Sequence, residues 1–479
     1  MPRPTERPAS AEPTERGTGA ERPASAPETG AALAEHGLEL RHLTSPWETG
    51  DADPDAPFDH DRRWADHPAV RRHTAVLQRN FHEVGDPDLT LADRFIGVEQ
   101  GDRRRLSGVY PQGSDPAETD PVGTLADFTK DLNTGGGHRL PAWCITEVTV
   151  SPTHRRRGIL RAMMTETLRR GAAAGAPLAL LTATEATIYR RFGFGVSTYY
   201  RSVWVDVTRG VQLRGPRPAG SFLFVEPTAS AELIDGLWRR AFEAQPGSVE
   251  RIRFSAARET DRDPRVDGGR PVGLRAVVFA GEDGQDRGVA VYRVTGDTSE
   301  LASDDPVTAT VVSLWAADAD AHRALIEFLG NLDLVVRLRL PATPADRLLE
   351  FLVLDESRIH TRGVHHHLWH RILDVPACFA GRPYLHEGAV AVRVEDDLGH
   401  AAGTWEISAR GGRGGARRVA DDAAELTLDV AELGSVLLGG VKAEMMREAA
   451  ILREHRPGAA ADLDTLLRQP RPPYSLTSF

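Results

Sequence analysis

One turn of this chain carries the residues best suited to binding an anionic ligand. The segment Ser151-Pro-Thr-His-Arg-Arg-Arg-Gly158 lies between a strand-like run and a helix-like run. A helix N-terminus presents unpaired N–H groups and a partial positive charge, which suit a pyrophosphate. Gly158 would let the backbone approach the phosphates without a Cβ, while Arg155 and Arg156 could donate charge-assisted hydrogen bonds. The alternative is a solvated basic turn, and composition alone does not separate the two interpretations.

The elements around this turn follow from hydrophobic periodicity. Residues 142–150 alternate as a strand, with Val148 and Val150 on one face and Glu147 on the other. Residues 159–168 have one apolar helical face, and residues 178–181 form a short apolar strand. Tyr189 comes just after that second strand. The pattern therefore predicts a strand, turn, helix and strand, with Tyr189 next to the strand that flanks the ligand.

Several segments carry a resemblance to a known family. The run from Val148 to Met164 resembles the acetyl-CoA loop of the GCN5-related N-acetyltransferases (GNATs), and its Pro-Thr-His-Arg-Arg-Arg-Gly string resembles the Eis branch. Leu160 departs from the small residue that is usual at its position. Residues 188–195 are similar to the catalytic-tyrosine segment of that branch, and residues 368–377 resemble the opening of its third domain. The resemblance implies amine acetylation by direct transfer from acetyl-CoA, without a metal.

The same resemblance assigns roles to individual residues. It implies that Tyr189 protonates the leaving thiolate, which a hydroxyl with a reference pKa near 10 can do at pH 7. The alternative for Tyr189 is a core residue packed on Phe192. The terminal carboxylate, on Phe479, would accept the amine proton or stabilise a cationic substrate, unless this end is a frayed tail. The residues expected to contact acetyl-CoA are Val148, Val150, Arg155, Arg156, Gly158, Ile159, Thr184 and Glu185.

The acceptor pocket is predicted from fewer signals. Glu147 lies on the strand face expected to look into the cleft, where relatives often have an aromatic residue, and a carboxylate there could bind a polyamine. Phe81 and Glu83 match pocket positions of the family loosely. Ser478 replaces an acidic residue of the best-known members. The expected acceptors are aminoglycoside-like compounds, other polyamines or lysine side chains.

Length and composition set the wider limits. The chain has 479 residues, a net charge of −11 and two cysteines. This predicts about three domains, a reducing cytoplasmic location and no dedicated nucleic-acid binding or membrane insertion. We expect a disordered tail over residues 1–35, a catalytic GNAT domain over 36–200, a second GNAT-like domain over 201–360 and a sterol-carrier-like domain over 361–479. The fold class is α/β (α+β), and the resemblance implies a homohexamer.

Three further predictions concern sites that lack function, and a fourth names a rival function. The histidines between His360 and His386 lack the spacing of metal ligands and are predicted to be a polar interdomain loop. The second GNAT-like domain has Asp318 where an Arg-x-x-Gly turn would be needed, so it is expected to be catalytically empty. Cys144 is expected in the core. The rival function is a lipid or hydrophobic-ligand carrier, which would need an open apolar tunnel within residues 361–479.

Overall fold

Two seven-stranded sheets and one five-stranded sheet organise the chain. The structure, a computed structural model, describes residues 27–53, 55, 59, 62–82, 89–183, 185–260, 273–296 and 306–479. None of the described helices combines the length and apolar character needed to cross a bilayer. The elements are given below sheet by sheet.

The first sheet contains the predicted ligand-binding turn. Its strands are β1 (Leu38–Leu43), β2 (Arg105–Pro111), β3 (Gly123–Gly135), β4 (His138–Val150), β5 (Leu178–Thr182), β6 (Gly195–Val196) and β14 (Leu368–Ile372). Its helices are α1 (Pro27–Ala34), α2 (Pro46–Thr49), α3 (Pro68–Asn80), α4 (Leu89–Gln100), α5 (Ile159–Ala173) and α6 (Ala186–Arg190). The spatial order is β1-β2-β3-β4-β5-β14-β6. The predicted strand, turn, helix and strand are thus β4, the turn, α5 and β5.

The second sheet has its own helices and repeats part of that plan. Its strands are β7 (Tyr199–Asp206), β8 (Gly220–Val225), β9 (Leu274–Gly281), β10 (Asp286–Thr295), β11 (Thr308–Ala316), β12 (Arg337–Pro344) and β13 (Ile359–His366). Its helices are α7 (Ala231–Ala244), α8 (Arg253–Glu259), α9 (Ala319–Leu329) and α10 (Leu348–Leu352). The order is β13-β7-β12-β11-β10-β9-β8, with β11 and β12 parallel and joined by α9. This is the same parallel unit as β4, α5 and β5.

The third sheet is smaller and packs against the first. Its strands are β15 (Gly388–Glu395), β16 (Gly403–Arg410), β17 (Arg413–Arg418), β18 (Leu426–Asp429) and β19 (Leu452–Glu454), in the order β17-β16-β15-β18-β19. Its helices are α11 (Val375–Ala380), α12 (Val430–Val436), α13 (Ala443–Glu448) and α14 (Ala459–Leu466). One apolar cluster joins this sheet and its helices to Phe128, Cys144 and Leu180 of the first sheet. The third domain therefore covers one face of the first sheet.

Two predictions of organisation differ from the structure. The disordered tail expected over residues 1–35 was drawn too long, because α1 begins at Pro27 and its residue Leu33 is only 1% exposed. The residues before Pro27 lie outside the described part of the chain. The boundary at 360/361 is also wrong. Strand β13 belongs to the second sheet, and β14 returns to the first, between β5 and β6. The third domain begins only after β14.

The histidine-rich segment was predicted to be a loop. In the structure it lies largely on β13 and β14 instead. His360 stacks on Trp204 and His365 stacks on Tyr200, with ring centroids 4.0 and 5.0 Å apart. His370 is fully buried. Among the residues that the structure describes, no cluster of three metal-ligating side chains occurs. Cys144 is buried in the core as predicted, and burial raises the pKa of its thiol.

Candidate active site

Strands β4 and β5 separate like the arms of a V. They pair in parallel only where Ala142–Cys144 meet Leu178–Leu180. Beyond these positions β4 runs on to Val150 and β5 to Thr182 without pairing with each other. Main-chain groups on the facing edges are therefore free of ladder hydrogen bonds. Such an edge can bind an extended ligand by main-chain hydrogen bonds, as an added strand would.

A β-bulge on β4 lies inside this V. The register with β3 shifts between Thr124 and Ala126, so two residues, Glu147 and Val148, stand where one would pair. Glu147 has a φ of 59°, which is unusual for a residue with a side chain. The Thr124 hydroxyl donates to the Glu147 carbonyl at 2.9 Å and lies 2.7 Å from the hydroxyl of Thr149. These bonds hold the bulge in place.

The Arg–Gly turn joins β4 to α5. Arg155 and Arg156 are exposed, and Ile159, at the first position of α5, is 2% exposed. Gly158 has a φ of 75°, and apart from its chain neighbours no atom of the described residues lies within 4 Å of where its Cβ would be. No described side chain caps the 15-residue helix. An exposed, uncapped helix N-terminus flanked by two arginines has the donor set for a pyrophosphate, so acetyl-CoA fits here.

Tyr189 lies on α6, directly after β5. It is 8% exposed, faces the main cavity, and its ring lies edge-on to Phe194 at a centroid distance of 6.4 Å. Burial, and to a smaller extent the charge of Glu185, raise the pKa of Tyr189 to about 12. The phenol therefore keeps its proton throughout the physiological range. The alternative role for Tyr189, a core residue packed on Phe192, agrees with the burial of its side chain. It does not account for the access of that side chain to the cavity.

The last residues described, 474–479, are packed into the protein rather than frayed. Tyr474 N–H donates to Pro246 O at 2.9 Å, and Leu476 N–H donates to Ser248 Oγ at 3.1 Å. At Phe479 the Thr182 hydroxyl donates to a main-chain oxygen. The Phe479 ring packs on Phe128 with centroids 5.4 Å apart. This segment thus reaches the open end of the V.

A cavity of about 940 Å³ connects these features. It is bounded by the first two sheets and by the C-terminal segment, and Glu147, Val148, Tyr189 and Phe479 all line it. Phe81, at the end of α3, also lines it and is 45% exposed. The cavity brings these predicted residues together. Two other predicted residues, Glu83 and Thr184, lie outside the described residues, while Glu185 is exposed at the start of α6.

The structure adds functional candidates that the sequence reasoning missed. Glu147 is not free: it forms an ion pair with Arg104, whose side chain is 7% exposed. Glu99 also lines the cavity and contacts the same guanidinium. Thr182 holds the C-terminal segment. The available signal for Arg104 was its place in the run Arg103-Arg-Arg at the start of a strand, which does not identify a partner 43 positions away.

The second GNAT-like domain also has a V, but a different helix start. Strands β11 and β12 pair only at Thr308–Thr310 and Arg337–Arg339. Asp318 caps α9 by accepting a hydrogen bond from the Ala321 N–H at 2.8 Å. A carboxylate in this position occupies the helix N-terminus and repels a pyrophosphate. That this copy is catalytically empty stays a prediction.

The third domain has a filled core. Five of its side chains between sheet and helices are at most 2% exposed: Val390, Val392, Leu428, Leu433 and Leu463. A smaller cavity of about 380 Å³ touches this domain only at its edge, through residues 373–376, His400 and Trp405. Neither of these two cavities is an apolar tunnel through residues 361–479.

Comparisons with known proteins agree with this architecture. Two GNAT acetyltransferase domain families match residues 113–197 and 247–372, and the sterol carrier protein domain matches residues 375–476. An uncharacterised N-acetyltransferase of Streptomyces griseus is 33% identical over 406 residues, covering 83% of this chain and 94% of that protein. The N-acetyltransferase Eis of Mycobacterium tuberculosis is 32% identical over 377 residues, covering 75% and 87%.

A solved structure extends this similarity to the fold. The crystal structure of Eis1 from Mycobacterium abscessus aligns with a TM-score of 0.73 at 30% identity, over 92% of this chain and all of that one. The chain therefore has two GNAT domains followed by a sterol-carrier-like domain, and it is an acyltransferase. It belongs to the Eis-like N-acetyltransferases of the GNAT superfamily.

Proposed function

We propose that this protein transfers the acetyl group of acetyl-CoA directly to a primary amine of an aminoglycoside-like, polyamine or lysine acceptor. The observation that carries this proposal is the shared cavity, in which the V between β4 and β5 meets Tyr189 and the C-terminal segment. A direct transfer forms a C–N bond and breaks a C–S bond within one ternary complex. The protein must then stabilise the carbonyl oxygen, protonate the thiolate and remove one amine proton.

The V and the turn would hold the co-substrate. Arg155, Arg156 and the N–H groups that begin at Gly158 and Ile159 would bind the pyrophosphate. Acetyl-CoA, when bound, supplies the activated thioester. The Ser151 N–H donates to the carbonyl of Val122, the residue just before β3. Because N–H groups alternate between the two edges of a strand, the Val150 N–H points away from β3 into the V. We assign Val150 as the donor to the carbonyl oxygen, with Val148 beside it.

Tyr189 would donate its proton to the departing thiolate. The donor must remain protonated until the C–S bond breaks, and a pKa of about 12 ensures this at neutral pH. After transfer the phenolate is a strong base and recovers a proton from solvent. The attacking nitrogen loses one proton as the amide forms, so each cycle balances when one proton is given to the thiolate and one is taken from the amine.

The carboxylate of Phe479 is our candidate for the amine proton. Its position at the open end of the V, beside Thr182, would bring a carboxylate close to an acceptor held in the cavity. A carboxylate is a weak base unless desolvated, so it equally serves to attract an ammonium ion and orient the amine. Either role requires that the C-terminal segment keep its position.

The decisive experiment measures acetyl-CoA-dependent thiol release with aminoglycosides, polyamines and lysine peptides, followed by mass spectrometry of the products. Acetylation at several amines of one compound would establish the broad acceptor range. Confirmed acetyl-CoA binding without turnover of any of these compounds would disprove the proposed acceptor classes and leave the acetyltransferase assignment intact. We further propose a homohexamer, which light scattering coupled to size exclusion would test.

A further inference from the structure

The last two residues described are held by side chains from three distant segments. His367 Nε2 lies 2.6 Å from the hydroxyl oxygen of Ser478. The Thr182 hydroxyl, at the end of β5, donates to a main-chain oxygen of Phe479. The ring of Phe128, on β3, packs against the ring of Phe479. Two of these contacts come from strands of the first sheet, and the third comes from the crossing between the first two sheets.

His367 is the single residue between β13 and β14, where the chain crosses from the second sheet to the first. Its N–H donates to Thr198 O at 2.8 Å, and the Leu368 N–H donates to the Thr198 hydroxyl at 3.0 Å. Thr198 lies between β6 and β7, where the chain crosses in the opposite direction. The two crossings are therefore hydrogen-bonded to each other, which fixes the backbone of His367 relative to both sheets.

The imidazole of His367 is buried and has one polar partner. The residue is 6% exposed, and its ring lies edge-on to Tyr200 at a centroid distance of 5.3 Å and tilted against Tyr474 at 6.4 Å. Burial lowers the pKa of His367 to about 4, so the ring is neutral at pH 7. Its Nδ1 has no hydrogen-bond partner among the described residues. Within the described part of the chain, Ser478 is thus the one group that hydrogen-bonds to this ring.

Ser478 depends on this contact, because burial does not hold it. Ser475 and Thr477 are buried, whereas Ser478 is exposed and lines the cavity. The Thr477 N–H donates to Ser475 Oγ at 3.2 Å, and the Ser475 hydroxyl donates to Thr477 O at 2.8 Å. This turn ends one residue before Ser478. The hydrogen bond to His367 therefore fixes the chain between the turn and Phe479, in a segment type that is usually mobile.

We propose that His367 is a positioning residue for acetyl transfer, which through Ser478 keeps Phe479 in place at the open end of the V. His367 is not among the described residues that line the cavity, so it acts through Ser478 and touches no reacting atom. The inference rests on the proposed function, in which the carboxylate of Phe479 meets the acceptor amine, and it names a side chain that places this carboxylate. Such placement matters because a displacement of about 1 Å can cost about 100-fold in rate.

Release of Phe479 from the native full-length protein by carboxypeptidase A, followed by mass spectrometry, tests the contact without any turnover. Ser478→Ala removes one hydroxyl from an exposed residue and should leave folding intact. Loss of one hydrogen bond shifts an equilibrium about three- to tenfold, so Phe479 should be released faster by that factor. His367→Ala should accelerate release at least as much. The double variant should differ little from His367→Ala, because both changes remove the same contact.

Two further variants separate the hydrogen bond from general loosening. His370→Ala is the matched control, because His370 is a fully buried histidine three positions along the chain. Within the described residues it makes no hydrogen bond or ring contact with residues 474–479, so this control should release Phe479 at the wild-type rate. His367→Gln places an amide near the position of Nε2 and should restore slow release. Thermal melting verifies that each variant is folded.

Steady-state kinetics test whether the contact serves catalysis. Ser478→Ala and His367→Ala should lower kcat about threefold or more, with the dissociation constant of acetyl-CoA within about twofold of wild type. His367→Gln should recover kcat. In a chain extended by one glycine after Phe479, whose carboxylate is already displaced, His367→Ala should lower kcat by less than about twofold further. A purely structural role for His367 would lower kcat by the same factor in both chains.

Release of Phe479 at the wild-type rate from Ser478→Ala and His367→Ala would overturn the inference, and so would faster release with an unchanged kcat. If His367→Ala does not fold, Ser478→Ala decides by the same two measurements. Failure of the proposed function looks different. No amine would then be acetylated, while the peptidase would still report whether His367 and Ser478 hold the end of the chain.

Discussion

Replacing Tyr189 by phenylalanine removes one oxygen atom and keeps the packing of a buried ring. Within the described part of the chain, no hydrogen bond to its hydroxyl is found, and its ring contact with Phe194 does not involve that oxygen. The free energy of unfolding should therefore change by less than about 1 kcal/mol. A general acid contributes about 10²- to 10⁴-fold to the rate, so kcat should fall by that factor. This corresponds to an increase of about 3 to 5 kcal/mol in the activation free energy.

The assay is thiol release at saturating acetyl-CoA, together with a titration of acetyl-CoA binding. We expect the dissociation constant to stay within threefold, because the hydroxyl acts only when the thiolate departs. Tyr110→Phe is the matched control. Tyr110 is a fully buried tyrosine of the same sheet, its hydroxyl has no partner among the described residues, and it does not line the cavity. Its kcat should stay within twofold of wild type.

The pH profile gives the same reasoning a second test. An acid stops working when the pH rises through its pKa, and for Tyr189 that value is about 12. Wild-type kcat/KM should therefore rise as the acceptor amine loses its proton and show no decline below pH 10. Three results would refute the assignment: a rate loss below threefold in Tyr189→Phe, a large parallel loss of acetyl-CoA affinity, or a decline that begins well below pH 10.

Four other changes give separate expectations. The melting temperature of Glu99→Gln should exceed that of the wild type by an amount that grows from about pH 5 upward. The reason is that the unfolded wild-type chain releases the Glu99 proton near its ordinary pKa, whereas the folded chain retains it. A difference in melting temperature that stays constant across pH would contradict this. Arg155→Ala should weaken acetyl-CoA binding about tenfold by titration, through loss of a charge-assisted hydrogen bond, with unchanged melting. Asp318→Ala should cost about 1 kcal/mol in a denaturant titration through loss of the α9 cap and leave acetyl-CoA affinity unchanged. One glycine added after Phe479 should lower kcat without affecting acetyl-CoA binding, because it moves the carboxylate. Full activity of this variant would exclude a catalytic role for that carboxylate.

The parts of the site that were predictable are local in sequence. The strand, turn, helix and strand around Arg155 and Gly158 follow from hydrophobic spacing within about 40 residues, and the observed elements agree with it. Tyr189 was assigned from the family resemblance of residues 188–195, a segment that is also local in sequence and follows β5 directly. The bulge at Glu147 was not predicted. Trp143 and Ile145 pack on the same side of the sheet as Val148 and Val150, so the bulge shifts the alternation of faces, and the register with β3 reveals the extra residue.

The parts that were missed depend on pairing between distant segments. An alternating strand specifies its two faces but not its neighbours, so nothing in Leu368–Ile372 indicated that it completes the first sheet. The ion pair between Arg104 and Glu147 has the same origin, because many carboxylates are available to each arginine in the sequence. The contact of Thr182 with Phe479 joins residues 297 positions apart.

The sequence by itself predicted the chemistry of the Arg–Gly turn from residue types and short periodicities, and the family resemblance of short segments predicted the candidate acid and the order of the domains. The tertiary structure alone decided where β4 and β5 part, which carboxylates share Arg104 and that the last residues described enter the cavity. Those features arise from burial and charge compensation among segments far apart in the chain, and their free energies exist only once the segments have packed together.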